Sequence, residues 1–463
     1  MNASDALPRR IHCVGLGGGG LGPLAGLLAA CGHEVSGSDA SPTFAPEALL
    51  ARGIAARSGH DARHVGRAEL LVRSAAVPDD NPEVVEARRR ALPVLKYSEV
   101  LGRVMASRRG VAVAGTHGKT TTTALVAHLL RAAGRRPSWI VGGRPLSLPD
   151  AAGWSTGEHF VAEACEYDLS FLQLDYEVAL VNSVAADHLD CFGDEHGVHA
   201  AFRRFVARLP AGGVLVLGRD VPAGLDWSLA DGVRVWRAGH DLRLVDTCED
   251  SDGFRGGLAG PAGCATFRLT LPGRHNLDNL LAALLTVKAC GLAVEDAAAH
   301  VESFRGVGRR LQDLGESAAS RASGVARGVR IVDDFAHHPD ALRAAAQSLR
   351  ARWPGRRVVG VFQPHQVSRT ADFLDAFAEE LRAFDEALLC DIFLARDREP
   401  QRAEELIEAL AARTGTTARR VGPARACDAA VATRLRPGDV CVVMGAGDVD
   451  GLAARLAGAS AGS

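Results

Sequence analysis

Short apolar runs rich in β-branched residues alternate along most of this chain with longer stretches rich in alanine and leucine. The apolar runs end at Gly, Asp or Pro, as buried strands do, and the longer stretches have helical periodicity. Alternation of this kind predicts parallel α/β units. The predicted strands are 11–15, 34–38, 70–73, 110–114, 330–332, 358–362, 387–390 and 440–444, and the predicted helices include 21–31, 120–133 and 277–290.

One stretch breaks this alternation. Between residues 212 and 273 the runs VLVLG, VRVW, LRLV and FRLTL alternate apolar and polar positions, which predicts antiparallel hairpins rather than crossovers. Residues 317–328 are small and polar and contain glycine, so they predict a linker or a surface loop. The chain therefore divides into about three α/β units, as expected for 463 residues at roughly 100–200 residues per domain.

Charge and composition exclude several classes of protein. The 53 basic and 55 acidic residues leave a net charge of −2, so we expect no broad polyanion-binding surface and no nucleic-acid partner. No run reaches the roughly 18 uncharged apolar residues of a membrane span, so we expect no membrane insertion. The ten cysteines contain no C-x-x-C spacing, and we expect a reducing, cytoplasmic compartment.

A glycine-rich loop follows the first predicted strand. Residues 15–20 read GLGGGG, match the pattern G-x-G-x-x-G and precede a helix, while Asp39 ends the second strand. Glycines at that place let the backbone approach a diphosphate at a helix N-terminus, and the acid can accept a ribose hydroxyl. A glycine-rich turn without a ligand is the alternative. The motif by itself indicates a nucleotide diphosphate, not a nicotinamide.

A second loop, GTHGKTTTT, begins at Gly115 between a predicted strand and a predicted helix. It departs from the common P-loop because Val113 stands where the first glycine is usual. Backbone amides of such a loop form an anion nest, Lys119 would neutralise phosphate charge, and the hydroxyl of Thr120 can ligate magnesium. The loop therefore predicts a nucleotide phosphate site.

Acidic residues follow this loop along the chain. The run VAEACEYD contains Glu163, Glu166 and Asp168, and the pair Asp187–His188 lies further on. Carboxylates near a strand end, beside a phosphate loop, could hold a hard cation, which prefers oxygen ligands. A solvated acidic loop and a surface Asp–His pair explain the same residues without a metal.

Three later segments place polar side chains near predicted element ends. PGRHNLDN opens a helix with Asn276 and Asn279 on one face, which suits either capping or nucleotide contact. DDFAHHP and FQPHQVSRT each follow a strand, where open α/β sheets bind ligands. Their histidines and Arg369 suit a carboxylate substrate, because arginine binds carboxylates in a bidentate manner. Ordinary polar loops are the alternative.

Taken together and in this order, these segments resemble the Mur ligases, most closely the branch that adds the first amino acid to the peptidoglycan precursor. The resemblance covers nearly the whole chain and is carried by GLGGGGLG with SGSD, GTHGKTTTT, EACEYD with ADHLD, PGRHNLDN, GVGRRLQDLGE, DDFAHHP and FQPHQVSRT. It implies a Rossmann-like UDP-sugar-binding domain at 1–107, a central P-loop ATPase α/β domain with a small antiparallel β portion at 108–312, and a Rossmann-like amino-acid-side domain at 313–463.

The resemblance also implies a reaction. The lactyl carboxylate of UDP-N-acetylmuramate would take the γ-phosphoryl group of ATP, and the amine of L-alanine would then displace phosphate from the acyl phosphate. Mg²⁺ would be the cofactor. A monomer or a homodimer is expected.

Site residues are implied position by position. The catalytic residues would be Lys119, Glu163, His188 and Arg310. ATP would contact Gly115, Thr116, His117, Gly118, Lys119, Thr120, Thr121, Asn276, Asn279, Arg310 and Asp334. The UDP-sugar would contact Gly17, Gly18, Gly19, Gly20, Leu21, Asp39 and Ser74. Mg²⁺ would be held by Thr120, Glu163 and His188, and the amino acid would be faced by His337, His365 and Arg369.

The chain departs from the family pattern within several of these segments. The departures are Cys165 for the usual Asp, Ser183 for Asn, Ala185 for Glu, Phe335 for Tyr, Gln366 for Arg and Arg73 for Ser. Two alternatives keep the fold: a murein peptide ligase that attaches recycled peptide to the same UDP-sugar, and a non-catalytic UDP-sugar-binding relative. A nicotinamide-dependent oxidoreductase would leave the GTHGKTTTT loop unexplained.

Overall fold

The computed structural model describes residues 7–41, 44–187, 189–250, 252–317, 325, 327–394 and 399–458. They form two compact units. The first contains the described residues up to Cys248 together with Arg255–Leu269 and Leu277–Arg305. The second contains Glu249–Phe254, Thr270–Asn276 and the described residues from Gly306 onward. Parallel sheets with helices in both units confirm the predicted α/β class.

The first unit begins with a five-stranded parallel sheet in the order β3-β2-β1-β4-β5. Its strands are β1 (Arg10–Val14), β2 (Glu34–Asp39), β3 (Ala55–Ser58), β4 (Leu70–Arg73) and β5 (Val94–Lys96). Its helices are α1 (Leu21–Ala30), α2 (Glu47–Leu50), α3 (Pro82–Arg89) and α4 (Tyr97–Met105), with a 3₁₀ helix at Ala62–Val65. Both faces of β1 and β4 are covered, and their residues are apolar apart from Arg10, His12 and Arg73.

Helix α3 has a side-chain cap at its N-terminus. The side-chain oxygen of Asn81 accepts hydrogen bonds from the backbone amides of Glu83 and Val84, at 2.9 and 3.4 Å. Pro82 occupies the first helical position, where its missing N–H is no loss. These two features place Glu83 in the first turn of the helix and direct it into the unit.

A second, seven-stranded sheet follows in the order β12-β11-β10-β6-β9-β7-β8. Its strands are β6 (Arg109–Ala114), β7 (Ser138–Ile140), β8 (Ala152–Gly153), β9 (His159–Glu163), β10 (Val178–Ser183), β11 (Val214–Asp220) and β12 (Arg234–Arg237). Its helices are α5 (Lys119–Ala132), α6 (Leu189–Phe192) and α7 (Glu195–Val206), with a 3₁₀ helix at Tyr167–Gln173. All neighbours pair in parallel except β7 and β8.

The predicted hairpins at 212–273 are wrong for the first two runs. VLVLG and VRVW lie in β11 and β12, which pair in parallel, and β11 is also parallel to β10. The long segment from Val221 to Val233 lets the chain cross over between them, whereas a tight turn would force an antiparallel pair. The remaining runs lie in a separate sheet of β13 (Arg243–Asp250), β14 (Gly253–Gly260) and β15 (Gly263–Leu269), whose connections are short.

Two helices and one 3₁₀ helix follow this small sheet. They are α8 (His275–Ala289), α9 (Val294–Ala298) and the 3₁₀ helix at Val301–Ser303. The predicted helix at 277–290 therefore starts two residues earlier than the sequence pattern indicates. Residues 276 and 279, the two asparagines of the PGRHNLDN segment, both lie within its first turns.

The second unit is built on a six-stranded sheet in the order β16-β17-β21-β18-β19-β20, parallel except between β16 and β17. Its strands are β16 (Gln312–Glu316), β17 (Arg330–Asp334), β18 (Val358–Phe362), β19 (Glu386–Cys390), β20 (Ala418–Gly422) and β21 (Val440–Met444). Its helices are α10 (Pro339–Arg352), α11 (Val367–Asp372), α12 (Leu374–Leu381), α13 (Ala403–Thr414), α14 (Asp428–Ala432) and α15 (Leu452–Ala457), with a 3₁₀ helix at Pro400–Arg402.

Apolar side chains cover both faces of this sheet, so its central strands are buried throughout. Most of the predicted linker at 317–328 lies outside the described residues. Within the part of the chain that the structure describes, no helix is both long and apolar enough to cross a membrane.

The contact between α4 and the 3₁₀ helix at Tyr167–Gln173 predicts a cost for any side chain at Gly102. A Cβ there would lie 1.9 Å from the backbone oxygen of Gln173. We expect Gly102→Ala to lower the free energy of unfolding of the first unit by roughly 1–3 kcal/mol, because the backbone must move apart. This outweighs the gain of about 1 kcal/mol that alanine brings to a helix.

Urea titration followed by circular dichroism measures this loss. Gly224→Ala is the matched control, because a Cβ at Gly224 meets no atom within 4 Å. An unchanged or higher unfolding midpoint for Gly102→Ala would contradict the close approach.

Candidate functional site

The glycine loop at residues 15–20 connects β1 to α1, as the sequence predicts, and the exit of β2 holds it. The backbone oxygen of Ser38 accepts hydrogen bonds from the amides of Gly15 and Leu16, at 2.8 and 3.1 Å. The Asp39 carboxylate accepts one from the amide of Gly17 at 2.7 Å. A Cβ at Gly17 would lie 3.0 Å from that carboxylate. Only glycine therefore lets the loop lie this close to Asp39.

The other predicted UDP-sugar residues lie around the same sheet edge. Ser74 follows β4, and its Cβ would be 3.0 Å from a Cβ at Gly15, whose φ is +99°. Leu21 is the buried first residue of α1. Gly18 and Gly19 are exposed before the helix, and Gly20 precedes its first residue. Backbone amides at a helix N-terminus favour anionic groups such as a diphosphate.

The second loop, Gly115 to Gly118, connects the central strand β6 to α5. Gly118 has a φ of +77°, and a Cβ there would lie 2.2 Å from Asn182 Nδ2 and 2.4 Å from Asn279 Oδ1. Asn182 Nδ2 donates to Asn279 Oδ1 at 2.8 Å and to the backbone oxygen of His117 at 3.0 Å. Asn279 thus lies against the loop, and its contact with a nucleotide stays a prediction.

The exit of β10 clamps this loop further. The amide of Thr116 donates to the backbone oxygen of Ser183 at 3.0 Å, and the amide of His117 donates to the Ser183 hydroxyl at 2.8 Å. Thr116 Oγ1 accepts from the amide of Ala185 at 2.9 Å. Two departures from the family pattern therefore contact the loop itself. Ser183 does so through its hydroxyl, and Ala185 through its backbone.

Lys119 is directed back across the loop. Its Nζ donates to the backbone oxygens of Gly115 and Thr116, at 2.6 and 3.2 Å, and to Glu166 Oε1 at 2.9 Å. Burial by itself would lower the pKa of Lys119, but the charges of Glu166 and Glu163 raise it above its ordinary value. Lys119 therefore stays positively charged where phosphate would bind.

The three predicted carboxylates do not share one site. Asp168 pairs with Lys96 at 2.6 Å, and Glu166 pairs with Lys119. Only Glu163 lies beside the loop hydroxyl: Thr120 Oγ1 donates to Glu163 Oε1 at 3.0 Å. The other carboxylate oxygen, Oε2, accepts from the amide of Gly142 at 2.8 Å.

A hydroxyl and a carboxylate are oxygen donors of the kind that Mg²⁺ prefers. The pair Thr120–Glu163 therefore fits the predicted metal site. The third predicted ligand, His188, lies outside the described residues. Thr121 follows in the first turn of α5 and is buried.

The glycine loop and the end of β9 open onto one cavity of about 290 Å³. Gly19 and Gly20 line it from the first loop, and Glu163 lines it from the end of β9. Tyr97 and Cys165 complete the wall between them. A substrate whose diphosphate lies on the first loop can therefore extend toward the carboxylate that stands beside the second.

In the second unit, Asp334 ends β17 and organises the turn around it. Its Oδ2 accepts from the amide of Leu311 at 2.6 Å, and its Oδ1 accepts from the amide of Ala336 at 2.7 Å. Burial raises the pKa of Asp334, while the charge of Arg310 opposes that rise.

The ring of Phe335 packs against two guanidinium groups. The guanidinium carbons of Arg309 and Arg310 lie 5.2 and 4.8 Å from the ring centroid. Arg310 is thus positioned by a ring that needs no hydroxyl, since the attraction arises at the face of the ring. Arg309 is a residue that the sequence reasoning missed, although it precedes Arg310 in the same segment.

The three predicted amino-acid-side residues lie together. The rings of His337 and His365 are edge to face, with centroids 6.1 Å apart. Burial and the charge of Arg369 lower the pKa of His365 to about 4, so its imidazole is neutral near pH 7. Gln366 lies between His365 and Arg369 in the chain. It has a φ of +73°, a backbone conformation that costs energy for a residue with a side chain.

Asn276 makes a local contact at the start of α8. Its Nδ2 donates to the backbone oxygen of Pro272 at 2.7 Å, and its amide donates to the backbone oxygen of Gly273 at 3.0 Å. This is a local hydrogen bond from a side chain to the backbone and not a cap, because a capping side chain accepts from helix amides. The contact of Asn276 with a nucleotide stays a prediction.

Glu166 and Asn182 are further loop contacts that the implied site residues do not include. Glu166 lies three residues after Glu163 in the same acidic run, where only its partner Lys119 distinguishes it. Asn182 lies at the end of β10, which neighbours β6 in the sheet. The carboxyl ends of adjacent parallel strands meet at one edge, and that topology is the signal for Asn182.

Three family models match the chain in order. The Mur ligase family catalytic domain matches residues 10–109, the Mur ligase middle domain matches residues 113–287, and the Mur ligase glutamate ligase domain matches residues 320–447.

Relatives and solved structures agree with these matches. The chain is 38% identical over 455 residues to the UDP-N-acetylmuramate–L-alanine ligase of Xanthomonas campestris pv. campestris strain B100, which covers 96% of this chain and 94% of that protein. The structure of the UDP-N-acetylmuramate-alanine ligase MurC from Thermotoga maritima superposes with a TM-score of 0.79 at 24% identity, over 96% of this chain and 98% of that one.

A murein peptide ligase has a similar fold. The structure from Psychrobacter arcticus superposes with a TM-score of 0.73 at 23% identity, over 97% of this chain and 98% of that one. At these identities the two superpositions establish the fold alone.

The surroundings of Cys165 predict a slow thiol. Desolvation by the groups around it and the charge of Glu166 raise its pKa to about 12, against the opposing charge of Lys119, although the residue is exposed to solvent. Because the thiolate is the reactive form and both residues are exposed, alkylation by iodoacetamide at pH 7.5 should be at least about tenfold slower at Cys165 than at Cys264. The rate at Cys165 should rise continuously with pH up to at least about pH 10.

Peptide mapping by mass spectrometry after timed alkylation measures both rates in one sample. Equal labelling of Cys165 and Cys264 at pH 7.5 would contradict the raised pKa.

Proposed function

Because this chain belongs to the Mur ligase family, we propose that it joins L-alanine to the lactyl carboxylate of UDP-N-acetylmuramate with ATP, releasing ADP and phosphate. The observation that carries the proposal is the cavity that the glycine loop shares with Glu163, the carboxylate that accepts a hydrogen bond from Thr120 at the start of α5. The L-alanine ligases that align with almost the whole chain support this choice of substrates.

The UDP-sugar lies on the glycine loop in this proposal. Its diphosphate lies near Gly17, Gly18, Gly19 and Gly20 at the start of α1, next to Leu21. Asp39 and Ser74, at the same sheet edge, contact the nucleoside side. The lactyl carboxylate then extends through the cavity toward Glu163.

ATP lies on the second loop, with its phosphates against Gly115, Thr116, His117 and Gly118 and the start of α5 at Thr121. Lys119 neutralises phosphate charge, and Glu166 keeps that lysine charged and directed at the loop. Thr120, Glu163 and His188 hold Mg²⁺, which when bound would withdraw charge from the transferred phosphoryl group. Asn276 and Asn279 are assigned to the base, and Arg310 and Asp334 are assigned to ATP.

The chemical step needs positioning and charge neutralisation more than covalent help from the protein. A carboxylate oxygen of the UDP-sugar attacks the γ-phosphorus, the bond to the β-phosphate oxygen breaks, and ADP leaves. The amine of L-alanine then attacks the acyl carbon and expels inorganic phosphate. Lys119 reduces the repulsion between the two anionic reactants.

The amino acid lies at His337, His365 and Arg369 in this proposal. Arg369 binds its carboxylate, because a guanidinium forms two parallel hydrogen bonds with that group. His365 is neutral, so it adds no second positive charge that would compete for the carboxylate. The neighbouring ring of His337 limits the space available to the side chain.

The proposal extends to the organisation of the protein. We assign the UDP-sugar domain to 1–107, the ATPase domain to 108–312 and the amino-acid-side domain to 313–463. All ten cysteines are free thiols, which fits a reaction carried out in the reducing cytoplasm. We expect a monomer or a homodimer.

Phosphate release tests the function directly. The protein is mixed with ATP, Mg²⁺ and UDP-N-acetylmuramate, and with L-alanine, with L-Ala-γ-D-Glu-meso-diaminopimelate, or with neither. We expect release with L-alanine, together with a product heavier by one alanyl residue in mass spectrometry. Phosphate release with the tripeptide but not with L-alanine would establish the murein peptide ligase instead. No phosphate release in any of the three reactions would favour a non-catalytic relative.

Lys119→Ala tests the assignment of the phosphate loop in the same assay. It should lower kcat by a factor on the order of 100–1,000, because one charged contact to the transferred group is lost. Binding of the UDP-sugar should stay within about twofold, since Lys119 does not contact the glycine loop. Unchanged turnover would overturn the assignment of the phosphate loop.

Arg369→Ala tests the amino-acid side. It should raise the KM for L-alanine by roughly ten- to a hundredfold, the value of a hydrogen bond to a charged group, while the KM for ATP changes little. Arg402→Ala, an exposed arginine of the same unit that pairs only locally with Glu399, is the matched control. Equal rises in both KM values would mean that Arg369 is structural.

A further inference from the structure

A buried carboxylate lies beneath the glycine loop. Glu83, in the first turn of α3, is completely buried. Its Oε2 accepts from the Ser38 hydroxyl at 2.6 Å and contacts His12 Nε2 at 3.2 Å. Its Oε1 contacts His64 Nδ1 at 3.0 Å and accepts from the amide of Asp61 at 3.1 Å. Each carboxylate oxygen therefore has two partners.

Two further histidine–serine contacts extend the hydrogen-bond network around Glu83. His60 Nδ1 lies 3.0 Å from the Ser38 hydroxyl and 3.6 Å from Glu83 Oε1. His12 Nδ1 lies 2.9 Å from the Ser36 hydroxyl on the same strand as Ser38. The network joins β1, β2, α3 and the 3₁₀ helix at Ala62–Val65 with its preceding turn.

Glu83 is a charged group in this setting. Burial by itself would raise its pKa, but hydrogen bonds from His12, Ser38 and the amide of Asp61 lower it to about 2. An ionised carboxylate without water must keep its donors in place, because a lost donor leaves a buried charge unsatisfied. The carboxylate therefore constrains the position of the Ser38 side chain tightly.

Ser38 transmits this constraint to the loop. Its backbone oxygen holds the amides of Gly15 and Leu16, and the next residue, Asp39, holds the amide of Gly17. Three successive amides of the glycine loop thus depend on the position of one dipeptide. The first residue of this dipeptide is Ser38, whose hydroxyl is hydrogen-bonded to Glu83.

We propose that Glu83 is a positioning residue for the diphosphate of the UDP-sugar: by holding Ser38 it sets the geometry of the glycine loop. The inference rests on the proposed function, in which that loop binds the diphosphate. Glu83 touches neither the substrate nor the reacting atoms. Its effect therefore belongs to the affinity for the UDP-sugar and not to the chemical step or to ATP.

Ser38→Ala tests this link without leaving a bulky group in the core. The backbone contacts to Gly15 and Leu16 can still form, but the bond to Glu83 is lost. We expect the KM for UDP-N-acetylmuramate to rise roughly five- to twentyfold, the value of part or all of a hydrogen bond to a charged group. The KM for ATP and kcat should change less than about twofold.

Ser36→Ala is the matched control. Ser36 lies two residues earlier on β2 and bonds to His12, but makes no hydrogen bond to the glycine loop among the contacts described. It should change the KM for the UDP-sugar less than about twofold. Glu83→Gln, which places an amide donor against groups that donate, should reproduce the Ser38→Ala pattern with a larger effect. Its folding is checked by thermal unfolding.

Calorimetric titration with UDP separates this inference from the proposed reaction, because it needs no turnover. The unaltered protein and Ser36→Ala should bind UDP equally, and Ser38→Ala more weakly by the same factor as its KM changes. Equal losses in both serine variants, or an equal loss of ATP affinity, would overturn the positioning role. No UDP binding by the unaltered protein would overturn the assignment of the loop, and with it the proposed function.

Discussion

A loop made of glycines has no side chains with which to hold its own shape, and this constraint governs the first unit. The glycine loop and the second loop each follow a buried parallel strand. Each loop is hydrogen-bonded to residues at the end of the neighbouring strand. Ser38 and Asp39, at the end of β2, hold the first loop, and Asn182 and Ser183, at the end of β10, hold the second. Parallel topology makes this possible, because the carboxyl ends of neighbouring strands meet at one edge.

Two buried charged groups, Glu83 and Lys119, are the second feature on which the two loops depend. Glu83 lies among three histidines and a serine, and Lys119 lies against Glu166. A buried ion without such partners would cost several kcal/mol, so each partner limits where the ion can be. Lys119 bonds directly to the second loop, whereas Glu83 is joined to the glycine loop through Ser38. The partners that stabilise these two charges therefore also fix residues that belong to the loops or hold them.

The departures from the family pattern are accommodated by local contacts. Ser183 replaces an amide with a hydroxyl that still bonds to the loop, and Ala185 needs only its backbone there. Phe335 keeps the aromatic face on which Arg310 packs. Cys165 lines the cavity as a thiol with a raised pKa, and so it behaves as a small neutral group. Gln366 remains the departure with the clearest backbone consequence, since it has a φ of +73°.

The sequence by itself determined the α/β class, most of the predicted strands and the places of both loops, because these depend on local periodicity and on glycine. It also contained the segments that mark the family. Only the tertiary structure decided that β11 and β12 run parallel, since a strand pattern does not record its partner. Only the tertiary structure separated Glu163 from Glu166 and Asp168, and joined Glu83 to His12 across 71 residues, because such contacts depend on which strands become neighbours.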